Sequence, residues 1–335
     1  MIFQRLLMRV AAMMVTLLGV SVVVFMIIRV APGDPVAMML PPNATAADID
    51  HIRALYGFDR TLLEQYFIWV SGVFHGDFGT SISLRQDVLS LVLGRLPATL
   101  ELSVVALLMA IVIGVPLAIV GAREQGTSVE IGIDVVTGAA LSIPDFLWGL
   151  WLILLFGVLI PIFQVSGRLS PQLYLQFVTQ FYLLESMVRL RLDVTADLLS
   201  HLFMPALALA LPLAAIITQL LKMSLKDVMT LDYVTLSRVK GFSETHVIVR
   251  EALKNAALPT LTLIGVQFTF LIGGTVIVER LFSYEGLGNM AVDAVINRDL
   301  PLIQGIVILF ATLFVFINLA FDMMSTLLNP RLRHG

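Results

Sequence analysis

The side chains best suited to act on a partner are concentrated in one stretch, residues 222–258, which holds all four lysines and six basic residues against four acidic ones. Its core, "TLSRVKGFSETHVIVREALKNAALP" (235–259), is basic and polar and lies between long apolar runs. Such a cluster suits gripping a soluble partner by charge and hydrogen bonds, not making or breaking bonds. The groups needed for bond-making are scattered. His51, His75, His201, His246 and His334 fall among loops and helix ends, with no HExxH pair to hold zinc. A Ser–Lys dyad inside an apolar segment is excluded, because every lysine lies within 222–258. Without cysteine there are no disulfides or thiolate metal sites. No lysine follows a glycine, so the chain has no GxxxxGK[ST] phosphate loop, and ATP would have to be bound by another polypeptide. The geometric roles of a hydrolase are missing.

The elements that carry these residues are apolar. The chain is 58% hydrophobic and 13% charged, against about 45–50% and about 25% in soluble domains. Windows of about 20 apolar residues predict an all-α, polytopic membrane protein with six crossings: residues 10–28, 102–120, 133–155, 202–221, 259–278 and 302–327. The first is longer than a signal-peptide core and reads as a helix that stays. The third is interrupted by Pro144 and Asp145. The net charge of −3 suggests no nucleic-acid partner. Six crossings put both termini on one side. Arg5, Arg9, Arg331, Arg333 and the 222–258 stretch mark that side as cytoplasmic, whereas 31–97 carries four arginines against seven acids.

Within the polar stretch, Asp232 is placed to cap a short helix over 233–240, and Gly241 to end it in the left-handed conformation. Ser243 is placed to cap a second helix, with Glu244 near its positive end, that stops before Pro259. The result is a helix–Gly–helix elbow leading into a membrane helix: a lever for a soluble partner, or a plain solvated loop.

Charged residues inside spans default to functional roles. Asp145 lies about a dozen residues into the third span, roughly 18 Å deep at 1.5 Å per residue and near the midplane. It reads either as a path-lining acid that favours cationic groups or as an interior carboxylate bonded to backbone freed by Pro144. Gly273 and Gly274 permit close helix contact or a bend. Glu279, Arg280, Phe282 and Tyr284 are placed at an outer mouth, where a solute or binding protein could touch them; an interfacial aromatic belt accounts equally for Phe282 and Tyr284. Asp34 reads as a turn former. In 48–74, Leu62, Tyr66, Trp69 and Val73 recur at helical spacing, predicting an amphipathic helix at the membrane surface.

The polar stretch resembles the cytoplasmic loop of ATP-driven ABC importer permeases, in the dipeptide/oligopeptide/nickel branch. The matching positions are Thr235, Leu236, Ser237, Gly241, Leu258 and Pro259, although the Glu-Ala-Ala triplet of the wider family is absent. The same branch is matched in order by "APGDP" (31–35), "GDFGTSI" (76–82), "RLPATLELS" (95–103), "VSGR" (165–168), "HLFMPALALALPLAA" (201–215) and "VERLFSYEGLGNMAVDAVINRDLPLIQG" (278–305). The resemblance implies a type I ABC importer permease fold over one transmembrane domain, 1–335: a first helix over 1–30, an outer segment over 31–97 and a five-helix core over 98–330. It implies a coupling helix gripped by an ATPase through Tyr233, Thr235, Ser237, Arg238, Lys240, Gly241, Phe242, Ser243 and His246. It places Asp145, Gly273, Gly274, Glu279 and Phe282 along the path. It further implies a bacterial inner membrane, a second homologous permease, two ATP-binding subunits that hold ATP and Mg, a periplasmic substrate-binding protein meeting the outer segment, and no cofactor on this chain. The rival is a secondary carrier driven by an ion gradient, which would transport alone; no convincing repeat between the halves supports it.

Overall fold

The structure is a computed structural model that describes residues 2–30, 45, 47, 59–173 and 176–328. Asp34 and residues 48–58 lie outside the described residues. The chain divides into two compact units, Met1–Leu96 with Met290–Val315, and Pro97–Asn289 with Phe316–Gly335.

In the first unit, α1 (Ile2–Val30) and α2 (Leu62–Phe74) meet through aromatic rings. Phe25, fully buried, takes the edge of Tyr66 at 5.4 Å and lies 5.8 Å from Trp69, and the Tyr66 and Ser21 hydroxyls are 2.8 Å apart. Thr61 and Glu64 form a reciprocal capping box that starts α2, a signature present in the sequence as Thr-x-x-Glu. Tyr66, Trp69 and Val73 share the covered face of α2, as the spacing predicts, whereas Leu62 is exposed.

In the second unit, the long helix α7 (Leu192–Met229) is the centre. It packs against α3 (Val88–Arg123), α4 (Ser128–Ser142), α5 (Asp145–Leu152) and α9 (Glu244–Leu281). A short α6 (Tyr182–Val188) precedes it. After it comes α8 (Asp232–Val239), and later α10 (Leu287–Ile296) and α11 (Leu300–Leu328), these last two each with residues in both units. Close approach needs small residues: a Cβ on Gly114 of α3 would lie 2.8 Å from the Ala214 carbonyl of α7, and one on Gly265 of α9 2.6 Å from Phe321.

Among the described residues four helices are long and apolar enough to cross a membrane, and the α4–α5 pair, bent by 101°, brings the number to five if it is counted as one broken span. The apolar part of α1, Ala11–Met26, is shorter, and a count of six is compatible with this set. The bend has a local cause. Pro144 drives Ile143 out of the helical region, to φ −97° and ψ 121°, so α4 ends and α5 restarts at Asp145. The α5 helix continues as a wider π-wound segment over Ile153–Leu159.

Three boundaries differ from the sequence reading. Helix α9 does not stop before Pro259; it runs from Glu244 to Leu281 with the proline inside. In membrane helices packing against neighbours offsets one lost backbone bond. Asp232 is the first residue of α8 and makes no cap bond; Leu231 is the extended residue before it. Helices α3 and α7 outrun the apolar windows at both ends, because helices need not stop where hydrophobicity does.

Candidate functional site

The elbow is built as the sequence suggests at its two punctuation points. Gly241 has φ +83°, a conformation that costs a side chain about 1–2 kcal/mol. Its N–H bonds the Arg238 carbonyl at 2.9 Å, closing the end of α8. The Ser243 hydroxyl accepts the His246 N–H at 3.4 Å and caps α9. The angle between the arms is set by Arg238. Its guanidinium forks onto Glu244 at 2.6 and 3.1 Å, and a third N–H reaches the Met229 carbonyl at the end of α7 at 3.2 Å. The Glu244 hydrogen bond raises the Arg238 pKa further, so this pair stays ionised.

The predicted contact residues sort into two groups. Ser237 is buried and bonds the Tyr233 carbonyl, and the Tyr233 hydroxyl accepts a bond from Asn255 at 2.8 Å. Together with Arg238 and Ser243 they shape the elbow. Thr235, Lys240, Gly241 and Phe242 are exposed, and His246, half-buried, stacks on Phe242 with ring centroids 4.6 Å apart. Two residues that sequence reasoning did not select join this surface: Leu236 is 54% and Val239 79% exposed. Their signal was legible, since an apolar residue on a short polar helix has no core to enter except one side, and Val234 already fills that side.

The base of the elbow is fixed twice. Leu221 and Leu225 of α7 pack with Ile248, Ala252 and Ala256 of α9 and with Ala118 and Ala122 of α3, all buried. One turn along α7, Lys222 pairs with Asp134 and, at 3.2 Å, with Glu130, while Lys226 also pairs with Glu130. Lys222 is thus no solvated loop charge but a buried tie between α7 and α4.

Asp145 and the glycine pair come together. One carboxylate oxygen, Oδ1, accepts the Phe146 N–H at 2.8 Å, so it serves backbone left over by the Pro144 break. The other, Oδ2, lies 4.0 Å from where a Cβ on Gly274 would sit, and nothing comes within 4 Å of that position on Gly273. Both glycines are exposed.

Glu279 and Phe282 are a correction. Their side chains do not line an accessible mouth: Glu279 is 0% and Phe282 1% exposed. Glu279 takes the Thr99 hydroxyl at 2.7 Å and the Asn289 N–H at 3.1 Å, and Thr99 in turn accepts the Leu287 N–H at 2.8 Å. Gly286 and Gly288 are needed here, since a Cβ on the first would run into the Glu279 carboxylate and one on the second would lie 2.5 Å from the Val276 backbone. Nearby, Arg168 pairs with Glu101 at 2.6 Å, both buried, and lies 4.0 Å over the Tyr182 ring, while the Gly167 N–H reaches the Phe282 carbonyl at 3.1 Å. In the first unit, Asp299 accepts the Ser81 and Ser83 hydroxyls at 2.5 and 2.7 Å and the Ile82 and Ser83 N–H groups at 3.1 and 3.0 Å. The segments "RLPATLELS", "VSGR" and "VERLFSYEGLGN" thus clamp one another, and "GDFGTSI" is clamped by "NRDLP".

An all-helical membrane subunit with a broken span and a polar elbow is the class these features define. The chain belongs to the family of binding-protein-dependent transport system inner membrane components, whose model matches residues 110–334. The N-terminal model of the same systems matches residues 2–103. It is 35% identical over 328 residues, 97% of each chain, to the di/tripeptide transport system permease protein DppB of Pseudomonas aeruginosa (strain UCBPP-PA14). It is 33% identical to the dipeptide transport system permease protein DppB of Escherichia coli (strain K12), over 99% of each chain. To the glutathione transport system permease protein GsiC of the same strain it is 32% identical, over 97% of each. Its fold is like that of the MetNI methionine ABC transporter in an inward-facing form, with a TM-score of 0.54 at 15% identity, over 71% of this chain and 96% of that one. The chain is therefore a multi-pass inner-membrane permease component of a transport system, and the ion-gradient carrier has no support among these relatives.

Proposed function

We propose that this chain forms half of the translocation path of an ATP-driven importer for di- and oligopeptides or a chemically related solute. A second homologous permease would form the other half. Two separate subunits would bind ATP and Mg, and a soluble binding protein would deliver the solute from outside. The termini and the elbow would then face the cytoplasm. Full-length identity to peptide permeases supports the solute class, and the absence of a phosphate loop supports a separate ATPase.

The observation that carries the coupling role is the exposed apolar ridge of Leu236, Val239 and Phe242 beside Lys240 on an otherwise polar elbow. Apolar side chains clustered on a water-facing lever are suited to a pocket on a partner. Thr235, Gly241 and His246 border that ridge, whereas Tyr233, Ser237, Arg238 and Ser243 act by holding its shape. Closure of the ATPase pair would move the elbow as a rigid body, and the Lys222–Asp134 tie would pass that motion to α4 and its hinge at Pro144.

The test is co-purification from membranes in mild detergent. The wild type should bring down an ATPase and a second permease. Val239→Asp with Phe242→Asp should lose the ATPase and keep the permease. Recovery of the chain alone, with uptake driven by an ion gradient after reconstitution, would refute the reading.

A further inference from the structure

Intramembrane carboxylates are costly unless they meet a cation, hydrogen-bond donors or water. Asp145 meets this requirement only on one side. Its Oδ1 is held by the Phe146 N–H, while among the described residues Oδ2 has neither a hydrogen-bond partner nor a basic side chain in pairing range. It is only partly exposed, at the break between α4 and α5, so its position is set by backbone and not by a flexible stem. The surface beside it lacks side chains: Oδ2 lies 4.0 Å from where a Cβ on Gly274 would sit, and nothing comes within 4 Å of that position on Gly273. Phe270 and Ile277, 64% and 57% exposed, flank this bare patch on α9. A half-satisfied acid beside two glycines that carry no side chain leaves room for a small hydrated cation or an ammonium group. Lys222 and Lys226 do not supply its cation, being committed to Glu130 and Asp134.

Resting on the importer reading above, we propose that Asp145 Oδ2, beside Gly273 and Gly274, is the subsite that receives a protonated side-chain amine of the passing solute. The carboxylate supplies charge, the glycines supply room, and specificity for cationic over anionic solutes follows from the sign of the field.

The experiment uses the complete complex, with its ATPase, second permease and binding protein, in proteoliposomes. It reads the ratio of initial uptake rates for Ala-Lys-Ala over Ala-Glu-Ala. The binding protein contributes equally to every variant, so a change in the ratio reports the membrane subsite. Asp145→Asn should lower the ratio about fivefold or more, Asp145→Glu should keep it within about twofold, and Asp145→Lys should invert it, since a unit charge at about 4 Å in a hydrated path acts on this scale. Gly274→Leu, which fills that room and leaves the acid, should slow both peptides. A ratio unchanged in Asp145→Asn, with both rates lowered together or not at all, would overturn the proposal and leave Asp145 a backbone brace. A wild-type complex that moves neither peptide would instead sink the peptide reading, and this subsite with it.

Discussion

Helix α9 carries a glutamate near each end, and the two live in opposite surroundings. Glu244, at the elbow, has a side chain 40% exposed and a cationic partner, Arg238, 37% exposed. Glu279, at the far end, is wholly covered and is met by neutral donors: a hydroxyl and backbone N–H groups supplied where two glycines let the chain come close. An exposed ion pair is worth little and can part and re-form. A buried carboxylate with committed donors cannot leave them without stranding several polar groups. The same residue type thus makes a joint at one end of the helix and a rivet at the other.

The comparison breaks first at Glu279. Glu279→Ala should destabilise the chain by about 3 kcal/mol or more, because Thr99 and the first turn of α10 lose their acceptor together. Thermal unfolding in detergent checks this, and a change below 1 kcal/mol would mean the rivet is ornamental. Next in size is Gly241→Pro. The proline ring cannot take φ +83° and removes the N–H that bonds Arg238. The cost should be about 1–3 kcal/mol, confined to the elbow. Uptake should be lost while the protein remains inserted at wild-type levels, and normal transport would demote the elbow to a loop.

Arg238→Ala sharpens the contrast from the other side. Stability should fall by less than about 1 kcal/mol, as for other exposed pairs, yet ATP hydrolysis should lose its dependence on solute, because the two arms no longer hold one angle. A destabilisation matching that of Glu279→Ala would erase the distinction between joint and rivet.

The smallest effect concerns Asp299, a covered acid of the other kind. Burial pushes its pKa up, but the Ser81 and Ser83 hydrogen bonds outweigh that and hold it below the ordinary value of 3.8. A depressed folded pKa stabilises above the unfolded value and is lost as pH falls through the folded one. A loss of stability below about pH 4 is expected, and Asp299→Asn should flatten that part of a stability–pH curve while lowering stability at neutral pH.

Several features were legible in the sequence because they depend on neighbours in the chain. Gly241 ends a helix since only glycine takes that conformation freely, and Ser243 caps the next one through a bond three residues away. Pro144 breaks the third span by crowding Ile143. Other features could not be read from the chain alone. Asp232, nine residues before the same glycine, is a capping residue by type and yet is the first residue of the helix, with Leu231 in the cap position. Glu279 was read as mouth-lining from its place at the end of a span, but its burial depends on Thr99, 180 residues away, and on Gly286 and Gly288. Lys222 was counted as a loop charge, though α7 carries it inward to meet α4.

The sequence by itself determined that the chain is helical and membrane-embedded, where the spans fall and where the elbow turns, since burial of apolar length in lipid and local backbone sterics act within one segment. Only the tertiary structure decided which polar residues stay exposed and which are locked in the interior. That assignment rests on hydrogen bonds between residues tens to hundreds of positions apart, and a carboxylate has the same chemistry at every position until its donors are in place.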